Sequence, residues 1–391
     1  MEEKFVNNHK IKVIHSHPVW LPQTQTWMYN QVKYLPKTVE SHIVCEITQN
    51  LNQFMVPNIH SLHELARWRY YWDKGLRMLR VRQHLGFLTA QIKKHKIQIV
   101  HSHFGNIGWA DMGAVKKAGI KHIVTFYGVD VNMLPTVDSR WHKRYNNLFK
   151  HVDLILCEGP HMAKCLVQLG CPQHKVQVHH LGIRVDEIAF NPRVWNSSKP
   201  LRVFIAASFR EKKGIPYALE ALGHLQHKVP IEITIIGDAN SEKRSQDEKQ
   251  KIMTVIDEYN LQPKIRFLGY QPHTVLFEEA YKHHVFISPS VTSIKGDTEG
   301  GAPVTIIEMA ATGIPIVSTT HCDIPNVIKD GITGLLAEER DTDGLLKHLL
   351  WLVNNPNKWQ HMLQTGRKHM EMEFNARAQG EKLAATYSTL L

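Results

Sequence analysis

The chain has 391 residues, 43% hydrophobic and 21% charged, the balance of a globular protein of two or three domains rather than of a disordered or fibrous one. No apolar run reaches the ~20 residues of a membrane span, the opening MEEKFVNNHKIK lacks a signal-peptide core, and five cysteines without a CxxC pair predict a reduced, cytoplasmic chain. Lys and Arg number 47 against 36 Asp and Glu, an excess of 11, which points to an anionic partner: nucleotide phosphate, lipid head group or nucleic acid.

Short apolar runs, each followed by a polar loop and a helical pattern, begin at once. A strand is predicted at 11–15, then a loop over 17–26 with Thr26 as N-cap of a helix toward Leu35. Residues 60–96 mix cations with aromatics. At helical spacing Leu65, Trp68, Trp72, Leu76 and Leu79 share one face, with Arg67, Lys74, Arg77 and Arg82 largely away from it. This stretch reads either as a core-packing helix with a solvated basic side or as a surface that meets an anionic membrane. Further strands follow at 97–101, 122–126, 154–157 and 176–179, with helices at 108–118 and 160–170 between them. Residues 191–200, NPRVWNSSKP, have the composition of a linker.

A second series starts at a strand over 202–207, followed by the loop SFREKKG at 208–214 and a helix from Ile215. Strands at 232–236 and 265–268 end in Gly237-Asp238 and Gly269-Tyr270. The most informative stretch lies between strands at 285–288 and 314–318: SVTSIKGDTEGGAPVTIIEMAATG. Its helix should begin near Pro303 and stop at Gly313. Glu299 precedes the helix, Glu308 lies within it, and the free amides of Val304 and Thr305 at its start make an anion site. Carboxylates on both sides of such a start can hold a phosphate and hydroxyls together, as a nucleotide sugar requires. A strand at 332–336, a helix at 341–354 and a last helical segment toward Tyr387 complete the chain. Two βα series predict an α/β protein of two doubly wound parallel sheets, with ligands outside the strand carboxyl ends. The 26 histidines show no HExxH or paired ligand spacing, so no metal site is predicted.

The stretch from Ser290 to Gly313 resembles the signature of the retaining GT-B glycosyltransferases of family 4, with eight residues rather than seven between Glu299 and Glu308. The H-x-H-F-G at 101–105 and T-F-x-G-x-D at 125–130 are similar to motifs of that family, with Tyr127 where a His is usual. The loop at 208–214 is similar to its G-R-L-x-x-K-K-G, with Lys213 matching and Ser208 in the usual Arg position. Within the family the nearest look is to enzymes of exopolysaccharide assembly, of the colanic-acid type.

The resemblance implies two Rossmann-like domains facing across a cleft: 1–190 for the acceptor, with a last helix at about 371–391 packing back on it, and 191–370 for the donor. It implies that Glu308 holds the ribose and Glu299 orients the sugar. Gly300, Gly301, Ala302, Pro303, Val304 and Thr305 would approach the diphosphate, and Lys213 and Arg210 would stabilise its departure. Gly237 and Tyr270 would border the donor site and Tyr127 would face the donor sugar. His103, Asp130 and Thr26 would lie on the acceptor side. The implied reaction needs no cofactor and no metal beyond a nucleoside-diphosphate sugar as co-substrate. The implied partners are a glycan or lipid-linked acceptor and an anionic membrane surface on the inner face, with no nucleic acid. A nucleotide-sugar epimerase of the same fold and a non-catalytic nucleotide-sugar-binding subunit stay open beside the transferase.

Overall fold

The structure, a computed structural model, describes residues 10–22, 26–79, 81 and 84–391. The chain divides into two units: Met1–Gly182 with Ala376–Leu391, and Ile183–Asn375.

In the first unit the strands are β1 (Ile11–Ser16), β2 (Val19–Trp20), β3 (Val39–Cys45), β4 (Ile47–Thr48), β5 (Ile59–Ser61), β6 (Ile99–His103), β7 (Lys121–Thr125), β8 (Leu154–Cys157) and β9 (Val176–Val178). Seven form one parallel sheet in the order β5-β3-β1-β6-β7-β8-β9, and β2 pairs with β4 apart from it. Successive side chains of a strand point to opposite faces. Ile14 packs with Phe87, Leu88 and Ile92 of the helix Gly86–His95. Its neighbour Val13 packs with Ile99, Ile123, Leu156 and with Leu383 and Tyr387 of the last helix, Ala376–Leu390. Both faces are covered, and the strands carry buried polar residues such as His15, His42, His101 and His103 among their apolar ones.

In the second unit β10 (Leu201–Ala206), β11 (Ile231–Ile236), β12 (Ile265–Gly269), β13 (Val285–Ser288), β14 (Ile316–Thr319) and β15 (Leu335–Ala337) form a parallel sheet in the order β12-β11-β10-β13-β14-β15. Val203 and Ile205 face a cluster with Leu219, Leu349 and Trp359. Phe204 and Ala206 face Phe286, Ile306 and Met309 on the other side. The strand LRVFIA thus supplies both cores of its unit.

The composition at 191–200 had suggested a linker, but this stretch is packed inside the second unit. The Asn191 and Arg193 amides donate to the carbonyls of Thr312 and Gly313 at 3.0 and 2.9 Å. Arg193 is 6% exposed, and its guanidinium donates to the carbonyls of His283 and Ala280. Among the described residues, no helix is long and apolar enough to cross a membrane.

Candidate active site

In a doubly wound sheet the strand order reverses at one point, and ligands bind outside the carboxyl ends of the strands there. In the second unit the reversal lies between β10 and β13, which are paired neighbours. The loop after β10 carries Arg210 and Lys213, and the loop after β13 carries Glu299. Glycine lets the two loops meet. Gly214 has φ 62°, and a Cβ there would collide with the Pro289 carbonyl oxygen. The Val291 amide donates to the Lys212 carbonyl at 2.9 Å, locking the contact.

Two ion pairs result across this junction. Lys213 Nζ lies 2.8 Å from Glu299 Oε1 and Lys212 Nζ lies 3.1 Å from Asp297 Oδ1. The Glu299 side chain is 7% exposed and Ser290 Oγ donates to it at 2.9 Å. Burial alone would raise its pKa, but the Lys213 and Lys212 ammonium groups outweigh that and hold it at about 2. Asp297 and the Thr298 carbonyl together engage Lys212. The acidic run Asp297-Thr298-Glu299 is therefore bound up with two lysines.

Pro303 caps the helix Val304–Thr312, and Gly313, at φ 83°, ends it. The sequence placed both ends within a residue. Gly300 and Gly301 are buried and Ala302 is half-buried before the helix start, where the first amides have no acceptor within the helix. Glu308, 6% exposed, sits one turn in. His273 Nε2, at the start of the helix His273–Lys282, lies 2.9 Å from Glu308 Oε1. The hydrogen bond to Glu308 raises the His273 pKa against its burial. The pairing turns Glu308 so that one carboxylate oxygen faces His273.

The other donor-side expectations fall nearby with different roles. Gly237, at φ 121°, leaves no room for a Cβ beside the Ala207 carbonyl oxygen. Tyr270 donates its hydroxyl to the Asp238 carbonyl at 2.7 Å and keeps an exposed ring. Arg210 does not join the lysines. Its Nη2 lies 3.3 Å from Glu242 Oε1, a carboxylate that also pairs with Arg244.

In the first unit Tyr127, His103 and Asp130 are buried. Asp130 accepts from the amides of Tyr127 at 2.8 Å and Gly105 at 2.5 Å. It joins the end of β7 to the start of the helix Gly105–Ala118. Burial pushes its carboxyl up to about 7 against the pull of those amides. These two bonds fix the backbone of the loop after β7. Tyr127 pairs its hydroxyl with His103 Nδ1 at 2.9 Å and packs its ring 4.3 Å from that of Trp27. Thr26 is the first residue of the helix Thr26–Lys33; its side chain lies outside the described set.

Several residues escaped the sequence reading. His321, directly after β14, accepts from the Glu299 amide at 3.1 Å through Nε2 and meets Glu339 Oε1 at 2.5 Å through Nδ1. Its place just beyond a strand carboxyl end was the available signal. His273 follows Pro272 at a helix start, and nothing in its spacing announced Glu308 as its partner.

Two open parallel α/β sheets, with paired lysines and carboxylates beside a helix start at a reversal of strand order, place the chain in the doubly wound α/β class, whose ligands bind at such points. The comparisons with known proteins narrow this. Residues 187–369 match the model of glycosyl transferases group 1, and residues 24–187 match glycosyltransferase family 4. The putative colanic acid biosynthesis glycosyltransferase WcaL of Escherichia coli is 30% identical over 74% of this chain and 70% of its own length. The amylovoran biosynthesis glycosyltransferase AmsK of Erwinia amylovora is 29% identical over 76% of this chain and 71% of its own. Among solved structures, Anabaena HepE in complex with UDP superposes with TM-score 0.78 at 14% identity, covering 97% of this chain and all of that one. The chain belongs to the family 4 glycosyltransferases and has the GT-B fold.

Proposed function

We propose that this glycosyltransferase moves a sugar, with retention of anomeric configuration, from a nucleoside-diphosphate sugar to a glycan or lipid-linked acceptor during assembly of an extracellular polysaccharide. The observation that carries the reading is the meeting of Lys213 with Glu299 beside the helix that holds Glu308. WcaL and AmsK are named for polysaccharide biosynthesis, and HepE was crystallised with UDP-glucose; both agree with it.

In this reading the ribose hydroxyls bond the Glu308 oxygen that His273 leaves open. The diphosphate lies over the first amides of Val304–Thr312. As the glycosidic bond breaks, negative charge grows on the diphosphate, and Lys213 shares its remaining donors with it. Glu299, held by Lys213 and Ser290, keeps a fixed carboxylate toward the sugar hydroxyls. Fixed cations and amides stand in for a metal, so no cofactor is needed and turnover should survive EDTA.

The decisive experiment incubates the enzyme with UDP-, GDP- and ADP-sugars and candidate acceptors, and reads the anomeric configuration of the product by NMR. A product of inverted configuration overturns retention. Turnover without acceptor to an epimerised nucleotide sugar would favour the epimerase, and no turnover with any pair would favour a binding subunit.

The proposal includes contact with an anionic membrane. On the helix Arg67–Met78, Trp68, Tyr71 and Trp72 are exposed by 66, 68 and 65%, and Leu79 just beyond it by 72%. Arg69 stacks over Trp68 at 5.2 Å. Of the two readings open for this stretch, core packing does not fit an aromatic face that is largely in solvent. Lys74 and Arg77 both lie 2.8 Å from Glu46, which leaves Arg67 and Arg69 as the cations to meet lipid. Arg82 lies outside the described residues.

A further inference from the structure

Among the described residues, two groups of three histidines each bring one ring nitrogen per residue within 4.8 Å of one another: His15, His101 and His103, and His42, His60 and His95. They differ in what their nitrogens already do. In the first group His15 Nδ1 meets His103 Nε2 at 3.1 Å, His103 Nδ1 meets the Tyr127 hydroxyl, and His101 bonds both Tyr387 and Thr125. All three rings are sealed from solvent. Five of the six ring nitrogens have partners and His15 Nε2 has none, but with no ring reaching solvent an ion has no entry path to this part of the core.

The second group is arranged for a ligand. His42 stands in the middle of β3, and His60 stands in the adjacent β5. His95 ends the helix Gly86–His95. Glu40 Oε1 lies 3.0 Å from His42 Nε2. With the Nε2–H donating to that carboxylate, the lone pair is on Nδ1. That Nδ1 faces His60 Nε2 at 3.1 Å. His95 Nε2 is buried without a hydrogen-bond partner. The rings lie 4.5 to 5.4 Å apart between centroids. The group is buried at His42 and part-exposed at His60 and His95, which leaves an entry path. The helix end adds negative partial charge. Lys12, 3.6 Å from Glu40, and Lys94 are the opposing cations.

We propose that His42, His60 and His95 bind one divalent transition-metal ion of the Zn²⁺ class, with Glu40 as the outer carboxylate that orients His42. Neutral imidazoles suit such ions, and a carboxylate behind a ligating histidine is the usual means of fixing its tautomer. Tetrahedral Zn²⁺ with bonds of ~2.0–2.1 Å sets its ligand nitrogens about 3.4 Å apart, which ring rotation from the observed spacing supplies. Water takes the fourth position. The ion would pin the edge strand β5 and the end of the helix to β3. It plays no part in sugar transfer, so it is compatible with turnover that survives EDTA.

The test uses tag-free, full-length protein stripped of metal by EDTA dialysis and titrated with ZnCl₂ by calorimetry. One equivalent should bind with micromolar or tighter affinity. His60→Gln combined with His95→Gln should abolish that equivalent, and Glu40→Gln should weaken it about 10–100-fold, the usual cost of losing an outer-shell partner. His174→Gln, an exposed histidine elsewhere, should leave it intact. Circular dichroism and the unfolding temperature in EDTA report whether each variant is folded, and the single His95→Gln, at a helix end, stands in if the pair is not. Absence of micromolar binding, or a stoichiometry and affinity unaltered in the histidine variants, would overturn the proposal.

Discussion

Glu308 and Glu299 are both carboxylates, but they are held in opposite ways. Glu308 has one neighbour of variable charge, His273, whereas Glu299 is fixed by a lysine and a serine. Hydrogen bonds to charged groups are worth ~1.5–3 kcal/mol. Glu308→Ala should therefore weaken nucleoside-diphosphate binding at least about tenfold, measured by calorimetry. His273→Ala should cost less, because it loosens the carboxylate without removing it. Unchanged affinity in Glu308→Ala would remove this residue from the ribose site.

Glu299 also leaves a mark on stability. Its folded pKa of about 2 lies below the ordinary 4.5, so its contribution is fully present above pH 4.5 and is lost as the pH falls toward 2. The difference corresponds to roughly 3 kcal/mol. Urea unfolding followed from pH 7 to pH 3 should show this acid limb, and Glu299→Gln should flatten it. Lys213→Ala strands a buried carboxylate, which typically costs ~3–5 kcal/mol. A lost activity in that variant must therefore be read beside its unfolding curve, and Lys213→Arg, which keeps the charge, is the better probe of phosphate binding.

At the scale of elements, the loop-to-loop contact at Gly214 fixes where Lys213 and Glu299 meet. Gly214→Ala adds a Cβ at a positive φ and against the Pro289 carbonyl. It should destabilise by more than ~1 kcal/mol and lower kcat together with the Lys213–Glu299 geometry, checked by unfolding and by turnover. The helix Arg67–Met78 gives a separate expectation. Replacing Trp68 and Trp72 by Ala should abolish pelleting with anionic vesicles, while replacing Arg67 and Arg69 should make it fade at lower salt. Charge-driven contact is screened as the Debye length falls from ~10 Å at 0.1 M to ~3 Å at 1 M. Pelleting that ignores both changes would exclude this helix as the contact.

The elements were also where sequence reading worked best. Runs such as LRVFIA and VFIS are buried on both faces, so their apolar continuity announced strands. Pro303 and Gly313 announced the ends of the signature helix because backbone geometry dictates those residues. What escaped the sequence has the opposite cause. Arg210 pairs with Glu242, an acid 32 residues along the chain, a contact that sequence separation hides. NPRVWNSSKP looked like a linker from composition alone, yet Arg193 and Trp195 bury themselves through partners about 90 residues and four residues away. His42, His60 and His95 meet across two strands and a helix, so no ligand spacing exists along the chain to be found.

At the scale of the whole molecule, the first unit is built from two distant segments of chain. The last helix closes one face of its sheet with Leu383, Ala384 and Tyr387, and the Tyr387 hydroxyl bonds His101 Nδ1 at 2.7 Å. Leu383→Ala should cost ~2–5 kcal/mol and Tyr387→Phe ~0.5–1.5 kcal/mol, both read from denaturant unfolding. A chain ended at Asn375 should lose the cooperative unfolding of the first unit while the second retains its own.

This arrangement sets an order on synthesis. A ribosome releases β1 to β9 first, then all of Ile183–Asn375, and only at the end the helix that covers Val13, Ile99, Ile123 and Leu156. At ~5–20 residues per second the sheet waits about 10–40 s with an apolar face open to water. For that interval the nascent chain presents a ready surface to a holding chaperone. The amino-terminal half, made first, is the last to be finished.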